Sequence, residues 1–181
     1  GKGIAAALVV STLQATLRAL LVGVHSFERL LEKLNTQIRE FIGGSTYLTL
    51  FLMLLDSQSS RIHYINAGHS PPMLVHADGS HELLQEGGTV LGLLPSVRYD
   101  RAHVDLRSGD RLALYTDGIV EAEDGAENMF GMEGLLRCLQ EAGPSESPGA
   151  LAERILKEVR EFAGEMPQSD DQSLVIISPQ I

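Results

Sequence analysis

The spacing of apolar residues changes period three times along this chain of 181 residues, and those changes bound the folds open to it. In GIAAALVVSTLQATLRALLVGV, the residues Leu13, Leu17, Leu20, Leu21 and Val24 recur at helical spacing, and alanines allow close packing elsewhere. Gly23 and His25-Ser26 interrupt that run. A second, cleaner stripe follows in Phe27, Leu30, Leu31, Leu34, Ile38, Phe41 and Ile42. Ser26 is placed to cap its start with Glu28 in the first turn, and Gly43-Gly44 ends it.

The period then shortens to two. TYLTLFLMLLD is apolar on both alternating faces, the pattern of a strand buried between layers. RIHYINAGHSPP puts Ile62 and Tyr64 on one face and turns between Asn66 and Pro72. MLVHADGSHELLQ reads as a hairpin turning at Ala77-Asp78-Gly79. GGTVLGLLP is a glycine-punctuated loop or short strand, and RYDRAHVDLRSGDRLALYTDG holds two strands joined at Arg107 to Asp110.

Helical spacing returns from Met132 to Ala142. It returns again after Ser147-Pro148, a cap followed by proline at the first helical position, with Leu151, Ile155, Val159 and Phe162 inward. DDQSLVIIS closes the chain as a last strand. Two helices, a block of strands, two helices and a strand predict an α+β fold, with helices packed on sheet faces. The short connections predict mostly antiparallel pairing.

A chain of this length is expected to form one domain, residues 1–181. Its apolar content of 44% is ordinary for a globular protein. The net charge of -10 disfavours nucleic acid and anionic membranes as partners and favours a cation or a basic or neutral protein. The single Cys138 forms no internal disulfide, so a reducing, cytoplasmic setting is expected, and its helical position predicts a buried inert thiol. No signal peptide is visible, and the longest apolar run, Leu48 to Leu55, is too short to span a bilayer.

Chemistry concentrates at two strand ends. In LALYTDGIVEAEDG a mostly apolar strand delivers Asp117, followed by Gly118, to a sheet rim. That position suits a metal ligand, but Asp-Gly is a common turn pair, and on this stretch alone an ordinary strand-ending turn is the favoured reading. Asp170 and Asp171 precede the last strand, where side chains alternate, so only one of the two would face a given site. If this rim adjoins Asp117, the like charges repel unless a cation sits between them, and carboxylates select hard ions such as Mg²⁺ or Mn²⁺. No Cys or His spacing points to zinc. Three weaker features are a loop histidine, His69; a Gly1-Lys2-Gly3 turn before a helix, which could bind an anion; and the acids Glu121, Glu123, Asp124 and Glu127, read as a solvated loop. Met129-Phe130-Gly131 is expected to anchor the following helix.

GKGIAAAL opening a helix, INAGHSPP, LYTDGIVEA, Phe130-Gly131 before a helix, and DDQSLVII stand in one order. In that order the chain resembles the SpoIIE/RsbU branch of the type 2C (PPM) metal-dependent serine/threonine protein phosphatases, from Gly1 to about Ile177. The resemblance implies a mostly antiparallel β-sandwich flanked by pairs of helices. It implies Asp117 and Asp170 as metal ligands, with Asp171 in the companion position, and Gln172 and Ser173 depart from the usual Met and Thr. It also implies two Mn²⁺ or Mg²⁺ ions and hydrolysis of phosphoserine or phosphothreonine by metal-activated water, without a covalent phosphoenzyme. The implied partners are a phosphorylated anti-sigma-factor antagonist-like protein and an upstream sensor or regulatory domain. The family's first metal element reads Asp-x-x-Gly-x-Gly, and this chain starts at its Gly-Lys-Gly. On that reading the chain is a piece lacking the first aspartate and initial strands, which would leave a sheet edge open to pairing in a homodimer. A catalytically inactive, partner-binding module is the alternative. A covalent aspartyl nucleophile is disfavoured, because Tyr115 stands where such chemistry needs a second Asp.

Overall fold

The computed structural model describes residues 4–22, 26–44 and 46–179, and the chain divides into two compact units. Gly1-Lys2-Gly3, Val24 and His25 lie outside the described residues.

The first unit takes Gly1–His69 and Gln85–Asp105. Helix α1 runs Ile4–Leu21 and α2 runs Phe27–Ile42. Ser26 caps α2, accepting a hydrogen bond from the Arg29 amide at 3.3 Å, and Gly43 ends it in the left-handed region at φ 69°. Leu30, Leu31, Leu34 and Ile38 are buried. Leu13, Leu17 and Leu20 of α1 pack on the cluster that holds Leu31, Leu34 and Ile38. Leu21, expected on that stripe, is 55% exposed, because it lies about 100° round the helix from Leu20, which takes the inward place. Phe41 is also exposed, and Ile42 fills the core from the final turn.

The sheet of this unit centres on β2 (Arg61–Ala67). Strand β1 (Leu50–Asp56) lies antiparallel on one side. The other side is shared by β5 (Gly87–Gly88), parallel, and β6 (Ala102–Asp105), antiparallel. Ile65 and Ala67, with Leu50 and Leu52 of β1, pack on the helical cluster. Burial of β1 between layers is not observed. Among the described strands it is the sheet edge, only β2 pairs along it, and Leu54 and Leu55 are exposed. Its apolar first half meets the helices' cluster and its second half does not. The buried Asn35 ties α2 to the loop between β5 and β6, donating to the Leu94 carbonyl at 3.0 Å and accepting from the Gly92 amide at 2.8 Å.

The second unit takes Ser70–Leu84 and Leu106–Ile181. Its antiparallel sheet has the order β4 (His81–Leu83), β3 (Met73–Val75), β7 (Arg111–Tyr115), β8 (Leu174–Ile177). The β3–β4 hairpin turns at Asp78-Gly79 as expected, with Gly79 at φ 84° and Asp78 accepting from Ser80. The single turn α3 (Asp117–Val120), then α4 (Gly131–Gln140) and α5 (Pro148–Ala163), complete the unit. Met73, Val75, Ala113 and Tyr115 share a core with Leu135, Leu139, Leu151, Ile155 and Val159. Phe130 anchors α4 as expected, meeting Phe162 edge-on at 5.7 Å between ring centres, while Met129 is exposed. Cys138 is fully buried. Burial, and the Glu158 carboxylate to which it donates, push its thiol up to about 12, so it carries no nucleophile.

Candidate metal site at the rim of the second sheet

Strands β7 and β8 run antiparallel with Tyr115 opposite Leu174, so the end of one meets the start of the other. Asp117 follows β7 by two residues and Asp171 precedes β8 by three, which brings both loops to one rim. The loops are then stitched together. The Thr116 amide donates to the Ser173 carbonyl at 3.1 Å. The Thr116 hydroxyl donates to the Asp171 carbonyl and accepts from the Ser173 amide, both at 2.8 Å. Gln172 Nε2 donates to the Gly118 carbonyl at 3.1 Å.

Gly118 is where the two backbones touch. A Cβ built there would stand 2.7 Å from the Asp171 carbonyl oxygen and 3.0 Å from that of Asp170. Only glycine permits this approach. The strand-ending turn expected at Asp117-Gly118 is instead the first turn of α3, a helix too short to leave a periodic signal.

Asp117 and Asp171 are exposed and Asp170 is half-buried. Asp117 Oδ1 accepts from the Gly118 amide at 3.0 Å, and Asp170 Oδ1 from the Asp171 amide at 2.8 Å. Each carboxylate is oriented by a neighbouring amide and still reaches solvent. The donors on this rim are all oxygen, as a hard cation requires. Among the described residues no group of three His, Cys, Asp or Glu side chains gathers to hold a metal. Magnesium is ordinarily held by one or two carboxylates, with waters and substrate phosphate completing its shell, so this donor set fits such an ion.

Tyr115 does not point a phenol at the rim. It is buried, its hydroxyl donates to Met132 Sδ at 2.9 Å, and burial raises its pKa to about 12. His69 belongs to the first unit. There its amide donates to Asn66 Oδ1 at 2.8 Å and its carbonyl accepts from Asn66 Nδ2 at 2.9 Å, a loop-closing arrangement. Of the acids after α3, Asp124 is more than a solvated charge. It accepts from the Ala126 and Asn128 amides and from Asn128 Nδ2, and these bonds hold its carboxyl below the usual range. Sequence reasoning missed Thr116 and Gln172, whose partners lie 55 and 54 positions away.

No helix among the described residues is long and apolar enough to cross a membrane. The chain is 30% identical over 132 residues to the phosphoserine phosphatase RsbU of Bacillus subtilis, a stretch covering 72% of this chain and 38% of that protein. It spans less than half the length of the curated relatives it matches. Among solved structures, the SiaA-PP2C domain of Pseudomonas aeruginosa superposes with a TM-score of 0.83 at 22% identity, covering 99% of this chain and 72% of that one. The Mn-presoaked phosphatase domain of SpoIIE from Bacillus subtilis gives 0.61 at 18% identity, covering 94% and 72%. Both likenesses show a mixed α+β fold of the PP2C type. The family model described as Stage II sporulation protein E (SpoIIE) matches residues 1–180, and with its motifs, strand pairing and fold in agreement the chain belongs to that family.

Proposed function

We propose that this chain is the catalytic region of a metal-dependent protein serine/threonine phosphatase, acting on phosphoserine or phosphothreonine of a small regulatory protein of the anti-sigma-factor-antagonist type. The single observation behind this reading is the stitched rim, where the Asp117 loop and the Asp170–Asp171 loop are held backbone to backbone. RsbU, named a phosphoserine phosphatase, shares the family and supports the reaction class.

Asp117 and Asp170 would hold Mn²⁺ or Mg²⁺, with Asp171 beside them. The bound ion supplies Lewis acidity toward a phosphoryl oxygen and a water reactive at neutral pH. The chain's own part is placement. Thr116 fixes the spacing of the two loops, Gly118 lets them close, and exposure of Asp117 and Asp171 leaves the rim open to a phosphorylated side chain on another protein. Neither Cys138 nor Tyr115 serves as nucleophile in this reading, since both are buried and held protonated. A cytoplasmic location and control by an upstream sensor domain accompany this proposal.

The test is phosphate release from a phosphoserine protein by the full-length protein, with and without Mn²⁺. Release that needs the ion and stops with chelator is the expected result. Folded protein that binds the phosphoprotein but releases nothing in Mn²⁺ or Mg²⁺ would instead identify a partner-binding module, the reading favoured by the absence of a three-residue metal group among the described residues.

Thr116→Val isolates the stitching. It removes one donated and one accepted hydrogen bond at nearly constant shape, at a cost of about 1–2 kcal/mol of stability. Mn²⁺ affinity measured by calorimetry should fall with it, and Thr116→Ser, which keeps the hydroxyl, should restore both.

A further inference from the structure

In the first unit, β2 and β6 pair antiparallel with His63 directly opposite His103. Directly opposed residues project from the same face of a sheet with Cβ atoms about 4.5–5.5 Å apart. The two imidazole centres lie 5.9 Å apart, with ring planes inclined by 48°. His63 is half-buried and His103 exposed. Two rungs along, Arg61 and Asp105 form a two-pronged ion pair, Nε to Oδ1 at 2.6 Å and Nη2 to Oδ2 at 3.0 Å. That pair keeps the neighbouring cation and carboxylate occupied with each other. Asp56, opposite Arg61 on β1, is likewise engaged, accepting from Ser59 and from the Gln58 amide. Asp56 also lies within electrostatic reach of His63.

We propose that His63 and His103 form a second metal site, one that takes a borderline divalent ion such as Zn²⁺, Ni²⁺ or Cu²⁺ through one nitrogen of each ring. With metal–nitrogen bonds of about 2.0–2.1 Å, an ion shared by two imidazoles holds the ring centres roughly 5–6 Å apart. The observed separation falls in that interval. Imidazole nitrogen prefers these metals over Mg²⁺ or Mn²⁺, which separates this site chemically from the carboxylate rim of the second unit. Two protein ligands leave the remaining positions to water or to a ligand brought by a partner. The ion would clip β6 to the centre of its sheet, binding the folded pairing and not the separated strands.

The site is tested with ZnCl₂ on the full-length protein, with no Mn²⁺ present, by calorimetry and thermal melting. Zinc should bind and raise Tm, and His63→Asn or His103→Asn should weaken that binding by at least about 10–100-fold, the cost typical of losing even an outer-sphere partner. Asp117→Asn should leave it unchanged, which separates this site from the carboxylate rim. A direct reading on the unmodified protein uses Ni²⁺, whose paramagnetism should broaden the ring resonances of these two histidines first. Zinc binding that survives both histidine substitutions, or disappears in Asp117→Asn, or Ni²⁺ broadening centred elsewhere, overturns the assignment.

Discussion

Replacing Asp117 by asparagine in the full-length protein is expected, on the proposed function, to lower phosphoprotein turnover by about 10²- to 10⁴-fold, the cost of losing several kcal/mol of charge stabilisation at about 1.36 kcal/mol per factor of ten. Asparagine keeps the size and one oxygen of the side chain but removes its charge. The fold has little stake in that charge. Asp117 is exposed, and its Oδ1 accepts a hydrogen bond from the adjacent Gly118 amide, a bond that an asparagine oxygen can also accept. Thermal melting should therefore match the parent within about 0.5 kcal/mol, as for an exposed position. Phosphate release and Mn²⁺ calorimetry on the same preparation check the two halves separately. A variant that turns over at near-parental rate would remove Asp117 from the site.

Gly118→Ala is expected to be the more disruptive change to the rim, although it adds one methyl group. In the first turn of α3, alanine should gain up to about 1 kcal/mol from helical propensity. Against this, its Cβ would meet the Asp171 and Asp170 carbonyl oxygens at 2.7 and 3.0 Å. Those are backbone atoms, and they yield only if the loops part. Overpacking of this kind costs about 1–3 kcal/mol, so the clash prevails over the propensity. Parting the loops stretches the Thr116–Asp171 and Gln172–Gly118 hydrogen bonds, so Tm, Mn²⁺ affinity and turnover should fall together. Gly125→Ala, where a Cβ meets nothing within 4 Å, is the control and should be silent. Parental metal affinity in Gly118→Ala would show that the loop spacing does not matter to the site.

What could be read from the residues was what local chemistry decides. Ser26 and Gly43 bracket α2 because an amide at one end and an αL carbonyl-side turn at the other need those residue types. The Asp78-Gly79 turn and the Ser147-Pro148 helix start were legible for the same reason. The fold class followed from the succession of periods. Strand β1 was misread because an apolar run has the same appearance whether both of its faces are covered or one end runs out to solvent. Helix α3 is shorter than any period can reveal. At the site, the sequence supplied the acids, and their meeting was an inference from motif order. The β7–β8 register now accounts for the meeting of their loops. The Thr116 hydroxyl bond joins positions 55 apart, and no local signal marks it.

β8 is the outermost strand of its sheet, with β7 as its only partner among the described strands. Half of the acidic rim hangs from it. Outer strands open more readily than central ones, and the loops they carry open with them. The acids at positions 170 and 171 therefore depend on a four-residue margin and on the Thr116 and Gln172 stitches, and whatever grips that margin from outside would set how often the rim is whole.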